Sequence, residues 1–228
     1  MKKLLLLGLV AAITFAAPLS RADSRPSGVK RIESCEAILQ EFMDDPAYAI
    51  PAPVLQQAHG IVIINQFKAG FIFGVTGGYG VIMVKRPDNT WSIPVMIDAG
   101  DISIGLQAGG KSVETIFVLN DDDTARRLFS GRVNVGVDAK AVMGPKWTEV
   151  ESVNKEILAT PVLVYTKSKG LFAGATVKAG FLARDDEANR VFYRTTFTMP
   201  ELLYGNFVTP PDTVKPLMAY VARLTQTQ

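Results

Sequence analysis

Two stretches of the chain, a hundred residues apart, carry the same glycine pattern. An ungapped shift of 100 places Gly70, Gly74, Thr76, Gly80 and Asn89 on Gly170, Gly174, Thr176, Gly180 and Asn189. Apolar positions agree as well, with Val62, Ile63 and Ile64 falling on Val162, Leu163 and Val164. Glycine weakens a strand unless it serves a bulge, a sharp bend or a close backbone approach. Glycines repeated at matched places therefore predict a strand–turn–long-strand unit used twice, with both long strands bent alike in a curled or barrel-like sheet.

The rest of the chain fits around that sheet. Residues 28–44, GVKRIESCEAILQEFMD, have a 3.6-residue apolar period and read as an amphipathic helix, and PAPVLQQA opens a short second one with proline in its first turn. From Ile61 the chain turns rich in β-branched and aromatic residues: GIVIINQF, AGFIFGVTGGYGVIMVKR and TWSIPVMI, with RPDNTW as a hairpin turn. Further strands are expected in SIGLQAGG, VETIFVLN, RVNVGVDAKAV, TPVLVYT, GLFAGATVKAGFLA and NRVFYRTTF. NDDDTARRLF reads as a short helix capped by aspartate, and helical pieces at Pro200 to Tyr204 and Asp212 to Leu224 come near the C-terminus. Helices at the ends of a β-rich middle predict an α+β fold with mostly antiparallel pairing.

The opening MKKLLLLGLVAAITFAAPLSRADS has a positive start, a nearly continuous apolar run from Leu4 to Ala17 and small residues at Ser20 and Ala22. That is the pattern of a secretory signal peptide over residues 1–22, leaving one domain at 23–228. The expected localisation is exported, periplasmic or associated with an outer membrane. Loss of Lys2, Lys3 and Arg21 takes the formal charge from +2 to −1. A near-neutral domain argues against a nucleic-acid partner, whose phosphates demand a basic face. The single cysteine, Cys35, allows no internal disulfide and shares a helix face with Ile32, Leu39 and Phe42, so it reads as a small buried hydrophobe.

GLQAGGKS, Gly105 to Ser112, fits the spacing of a nucleotide-binding P-loop. Such a loop needs a helix after it to hold phosphate. The next segment is VETIFVL, dense in β-branched residues and hardly longer than a strand, so no nucleotide is expected. His59 is the only histidine, which leaves no conventional relay or histidine-rich metal site. Asp121, Asp122 and Asp123 lack the alternating spacing of a calcium loop and read as a helix cap. No catalytic residue, metal or cofactor is expected.

Tyr165 to Gly174, YTKSKGLFAG, is the most distinctive block. With PVLQQAHGIVII (53–64), KAGFIFGVTGGYG (68–80), WSIP (91–94), GLQ (105–107) and Gly144-Pro145, it resembles the SYLF domain family over roughly residues 28–225. That resemblance implies a non-catalytic exported member of a lipid-binding family whose yeast members also associate with actin. The implied ligand is a phospholipid membrane surface, reached through the N-terminal helix: Lys30 and Arg31 at headgroups, and Ile32, Leu39 and Phe42 in the acyl boundary. Glu33, Glu36 and Glu41 on the same helix offset its two cations, so strong phosphoinositide selectivity is not expected. A helix with this apolar face either docks on a membrane or packs on the body, and burial of Ile32, Cys35, Leu39 and Phe42 would favour packing. A second candidate lipid surface is the turn containing Lys167 and Lys169 with Leu171 and Phe172; the alternative is a structural turn with Phe172 in the core. The rival function is a protein-interaction or scaffold module, binding actin or another protein.

Overall fold

The structure is a computed structural model and describes residues 27–69, 75–101, 111–127, 130–135, 140–169 and 180–226. Helices α1 (Ser27–Asp44) and α2 (Ala52–Gln56) precede strands β1 (Gly60–Ala69), β2 (Val75–Val84), β3 (Val95–Asp101) and β4 (Lys111–Leu119). A short helix α3 (Asp122–Arg127) leads to β5 (Arg132–Asn134) and β6 (Ala141–Met143). A 3₁₀ turn at Trp147–Ser152 and α4 (Lys155–Leu158) precede β7 (Val162–Lys169) and β8 (Phe181–Arg184). The chain then runs through α5 (Asp186–Tyr193), α6 (Met199–Tyr204) and α7 (Lys215–Leu224).

All eight strands form one sheet in the order β5-β8-β3-β2-β1-β4-β7-β6, antiparallel except for the β6–β7 pair. β5 and β6 stand at opposite ends of that order, yet they are consecutive in sequence. The seven steps from Asn134 to Ala141 reach at most ~25 Å. Eight strands laid flat would hold their outer members ~34 Å apart. Chain connectivity therefore forces the sheet to curl, and the fold is the expected α+β half-barrel.

Both faces of the sheet are covered. Ile61 and Ile63 point into a core closed by Ile32, Cys35, Leu39 and Phe42 of α1 and by Leu217 and Val221 of α7. Their neighbours Val62 and Ile64 point into a second core with Met199, Leu202 and Leu203 of α6. Burial on both sides explains why β1 reads as an unbroken apolar run rather than an alternation.

Two of the glycines in the matched units sit where backbone comes close. A Cβ at Gly80 would overlap the carbonyl oxygen of Ile63 on the paired strand, and one at Gly180 would stand 2.9 Å from that of Gly100. The second glycine unit differs from the first in one respect. β1 and β2 pair with each other, whereas β7 pairs with β4 and β6, and β8 pairs with β3 and β5. NRVFYRTTF, expected as strand, is instead mostly helix α5. Asp185 caps that helix through its carboxylate, which accepts from the Ala188 N–H at 3.0 Å, and Asp186 and Glu187 fill the first turn. RVNVGVDAKAV contains two short strands rather than one.

Candidate interaction surfaces

The α1 face bears on the membrane expectation. Ile32, Leu39 and Phe42 are completely buried, as is Cys35, whose thiol donates to Ile63 O at 3.6 Å and is pushed up to about 12 by burial. In this conformation these side chains belong to the core, which favours packing of the helix on the body over docking at an acyl boundary. The physical reason is competition for one stripe: the face that would enter lipid is the face that closes the sheet.

The cations fare similarly. Arg31 is held by Asp185 at 2.8 Å and Asp98 at 3.7 Å, and its guanidinium lies 5.3 Å from the Tyr79 ring centroid. Burial and the neighbouring Asp185 carboxylate raise the Asp98 pKa against the pull of Arg31. Lys167 is tied to Asp45 at 3.6 Å, to the Glu41 carbonyl at 3.4 Å and to the Tyr48 ring at 5.2 Å. Lys30 is exposed on α1. Lys169 ends β7, with its side chain outside the described residues, and Leu171 and Phe172 lie outside them altogether. So Lys30 and Arg31 flank one end of α1 and Lys167 the other, without forming one patch.

The P-loop spacing fails on its flank. Gly105 to Gly110 fall outside the described residues, but Lys111 and Ser112 begin β4, which pairs with β1 and β7 along its length. A strand rather than a helix leads away from Lys111, so its flank offers no helix N-terminus to hold phosphate. Ser112 Oγ instead donates to Asn65 Oδ1 at 3.3 Å. Among the described residues no cluster of histidine, cysteine or carboxylates could hold a metal.

Sequence reasoning missed a pair of adjoining depressions. One is a groove of 840 Å³ between the Lys85–Trp91 turn and α7, walled by Trp91, Met218, Ala219 and Ala222. The Trp91 indole N–H donates to Thr225 Oγ1 at 2.8 Å, which ties the ring into the wall. The other is a polar cleft of 460 Å³ lined by His59, Arg86, Asp122, Arg126 and Tyr204. There His59 Nδ1 and Asp122 Oδ1 lie 3.0 Å apart, and Arg126 stacks 5.0 Å from the Tyr204 ring centroid. Lys85 and Asn89 line both depressions. The RPDNTW turn and the helices at Asp212 to Leu224 and NDDDTARRLF were legible in advance, but not their convergence, because the turn and α7 lie more than a hundred residues apart. Nearby, Phe197 and Phe207 form an exposed ring pair with centroids 5.2 Å apart.

Two of the distinctive sequence blocks meet in space. A Cβ at Gly144 would overlap the Tyr165 ring, so Gly144-Pro145 lies against Tyr165, the first residue of the YTKSKGLFAG block, beside the β6–β7 pair. Residues 100–224, which include both blocks, match the family described as Ysc84, Las17-binding protein actin regulator. The chain belongs to the Ysc84 family. This bears out the SYLF resemblance. LAS seventeen-binding protein 3 of Saccharomyces cerevisiae is 34% identical over 171 residues, covering 74% of this chain and 37% of that protein. Protein YSC84 of the same yeast is 34% identical over 165 residues, covering 71% of this chain and 35% of its own length. The SH3 domain-containing YSC84-like protein 1 of Bos taurus is 29% identical over 192 residues, covering 81% and 56% respectively. The chain thus spans between a third and somewhat over half of these Ysc84-family relatives.

Proposed function

We propose that this chain is a non-catalytic protein-interaction module of the actin-regulatory class to which its yeast relatives' names point. The observation that carries this reading is the family match itself. The burial of the α1 stripe agrees with it, because the helix that would mediate lipid insertion is spent on the core. Catalysis forms no part of the proposal. The test is co-sedimentation of the purified chain with filamentous actin, alongside capture on an immobilised Las17-type actin-nucleation regulator. Saturable binding to either supports the reading, and absence of binding to both removes it.

A second reading, association with a phospholipid surface, rests on the exposed Phe197–Phe207 pair rather than on α1. Paired aromatic rings standing out of a surface suit the headgroup boundary. Vesicle sedimentation with Phe207→Ala tests it. Removing α1 would not, because that deletion opens the core. In the same proposal residues 1–22 are an export leader and residues 23–228 the folded domain. N-terminal sequencing of exported protein should begin at Asp23, and a start at Met1 would refute the leader.

A further inference from the structure

The groove and the cleft that share Lys85 form one composite surface. Its polar half is locally basic in a chain whose formal charge is only +2. Together the two linings carry Lys85, Arg86, Arg126 and Lys215 against one carboxylate, Asp122. Two of these cations are already committed. Arg86 donates to the carbonyls of Leu203 and Gly205 and to Asn206 Oδ1, and Lys215 pairs with Asp212 at 2.6 Å. Lys85 and Arg126 form no ion pair among the described residues, and Asp122 is turned to His59.

The backbone holds Lys85 firmly at the junction. Its N–H donates to His59 O at 2.8 Å, and its strand-like pairing with Trp91 closes the turn. On one side of it lies the basic cleft. On the other, the groove offers the Trp91 ring, Met218 and the small side chains Ala219 and Ala222, with the indole N–H already satisfied by Thr225. The apolar half is concave. It receives a side chain rather than projecting one, which suits an inserted peptide residue and not a bilayer, where the protein must supply the protrusion.

We propose that this composite surface docks a short acidic peptide segment of a partner protein, its carboxylates on Lys85 and Arg126 and an adjoining bulky apolar residue in the Trp91–Met218 groove. The proposal rests on the protein-interaction reading and names the partner chemistry for it. Free phosphate would satisfy the cations but leave the groove empty, and a base-and-phosphate ligand would meet only two uncommitted cations.

Selection of a displayed library of short random peptides on the immobilised full chain tests it. Enriched peptides should combine two or more acids with a leucine, phenylalanine or tryptophan within a few positions. With Trp147→Phe removing the second tryptophan, such a peptide should shift the Trp91 indole N–H resonance. A Lys85→Glu, Arg126→Glu double variant should weaken its binding at least about tenfold, and Ala219→Phe should weaken it by filling the groove. Both changes are on exposed or half-exposed side chains, and an unchanged melting temperature would show that the fold is kept. The proposal is overturned if no peptide is enriched, if enriched peptides lack acids, or if the double variant binds them equally. It is also overturned if phosphatidylglycerol vesicles, rather than peptides, move the Trp91 resonance. Actin or regulator binding that persists unchanged in the double variant would sink the composite site while leaving the protein-interaction reading in place.

Discussion

Residues 60–84 and 160–184 start from the same glycine pattern and end in different places in the sheet. In the first unit β1 and β2 close on each other as a direct antiparallel pair. In the second, β7 and β8 stand on opposite flanks of the sheet, with β3, β2, β1 and β4 between them. The shared pattern thus marks close backbone approaches at Gly80 and Gly180, while the pairing of the strands differs between the units. β2 runs on to Val84 and the RPDNTW turn, whereas β8 stops at Arg184 because Asp185 caps a helix. Matched positions in the two units consequently do different work, and substitutions at them separate what is common from what is particular.

The largest contrast is between Asn189 and Asn89. Asn189 is buried in α5, and its amide takes the place of a strand partner for β3. Its Oδ1 accepts from Met96 N and its Nδ2 donates to Met96 O, both at 2.8 Å. This is one rung beyond the last β3–β8 pair, Ile97 with Arg184. Asn189→Ala strands two buried backbone groups, each costing ~1–3 kcal/mol, so a loss of about 3 kcal/mol is expected in urea unfolding. Asn89 is exposed at φ 62° in the hairpin turn, where alanine costs ~1 kcal/mol through backbone strain alone. Equal losses at the two sites would break the contrast.

Next come the glycines. Gly80→Ala forces a methyl against the Ile63 carbonyl in the middle of the β1–β2 pair, where neither strand can yield because both faces are packed. Overpacking of this kind should cost about 2–3 kcal/mol. Gly180→Ala meets Gly100 O at 2.9 Å just ahead of β8, and about 1 kcal/mol is expected there. Gly77→Ala, with nothing within 4 Å, is the control and should sit within ~0.5 kcal/mol of the parent. Thermal denaturation of the three variants should rank them in that order, and a reversed order would mean that the close approach does not set the requirement for glycine.

The same division between local and distant causes governs how much was legible in the sequence. Periodicity found α1 within one residue of its start, because Ile32, Cys35, Leu39 and Phe42 repeat at helical spacing and face one core. The aspartate cap of α3 was readable because Asp121 reaches the Thr124 N–H at 2.8 Å, a purely local bond. The α5 segment was misread because Val191, Phe192 and Tyr193 look like strand formers, and the Asn189–Met96 bonds that fix the helix span 93 residues. The choice between a membrane-facing and a core-facing stripe at Ile32, Leu39 and Phe42 met a different obstacle. An amphipathic stripe specifies that something apolar covers it, and only the tertiary structure says what. The groove beside Trp91 and the cleft beside His59 were invisible for a related reason, since α7, the hairpin turn and α3 converge only after the sheet has curled.

The smallest expected effect sharpens the comparison most. Under the hundred-residue shift Asn65 falls on Tyr165, and both point to the α1 side of the sheet. Asn65 is fully engaged: its amide donates to Ser34 Oγ at 3.1 Å and to Tyr79 OH at 3.4 Å, and accepts from Ser112 Oγ at 3.3 Å. Tyr165 is 4% exposed, and its hydroxyl has no hydrogen-bond partner among the described residues. Burial alone therefore raises its pKa far above the usual phenol value. Its ring is fixed by Gly144, so packing rather than hydrogen bonding accounts for a large side chain there. Removing a buried unpaired hydroxyl while keeping the ring relieves a desolvation cost. Tyr165→Phe should then be neutral or stabilising by up to ~1 kcal/mol, whereas Asn65→Ala should cost ~1–2 kcal/mol. A destabilised Tyr165→Phe in urea titration would mean that the hydroxyl does find a partner, and that the second unit carries a polar contact matching the one at Asn65.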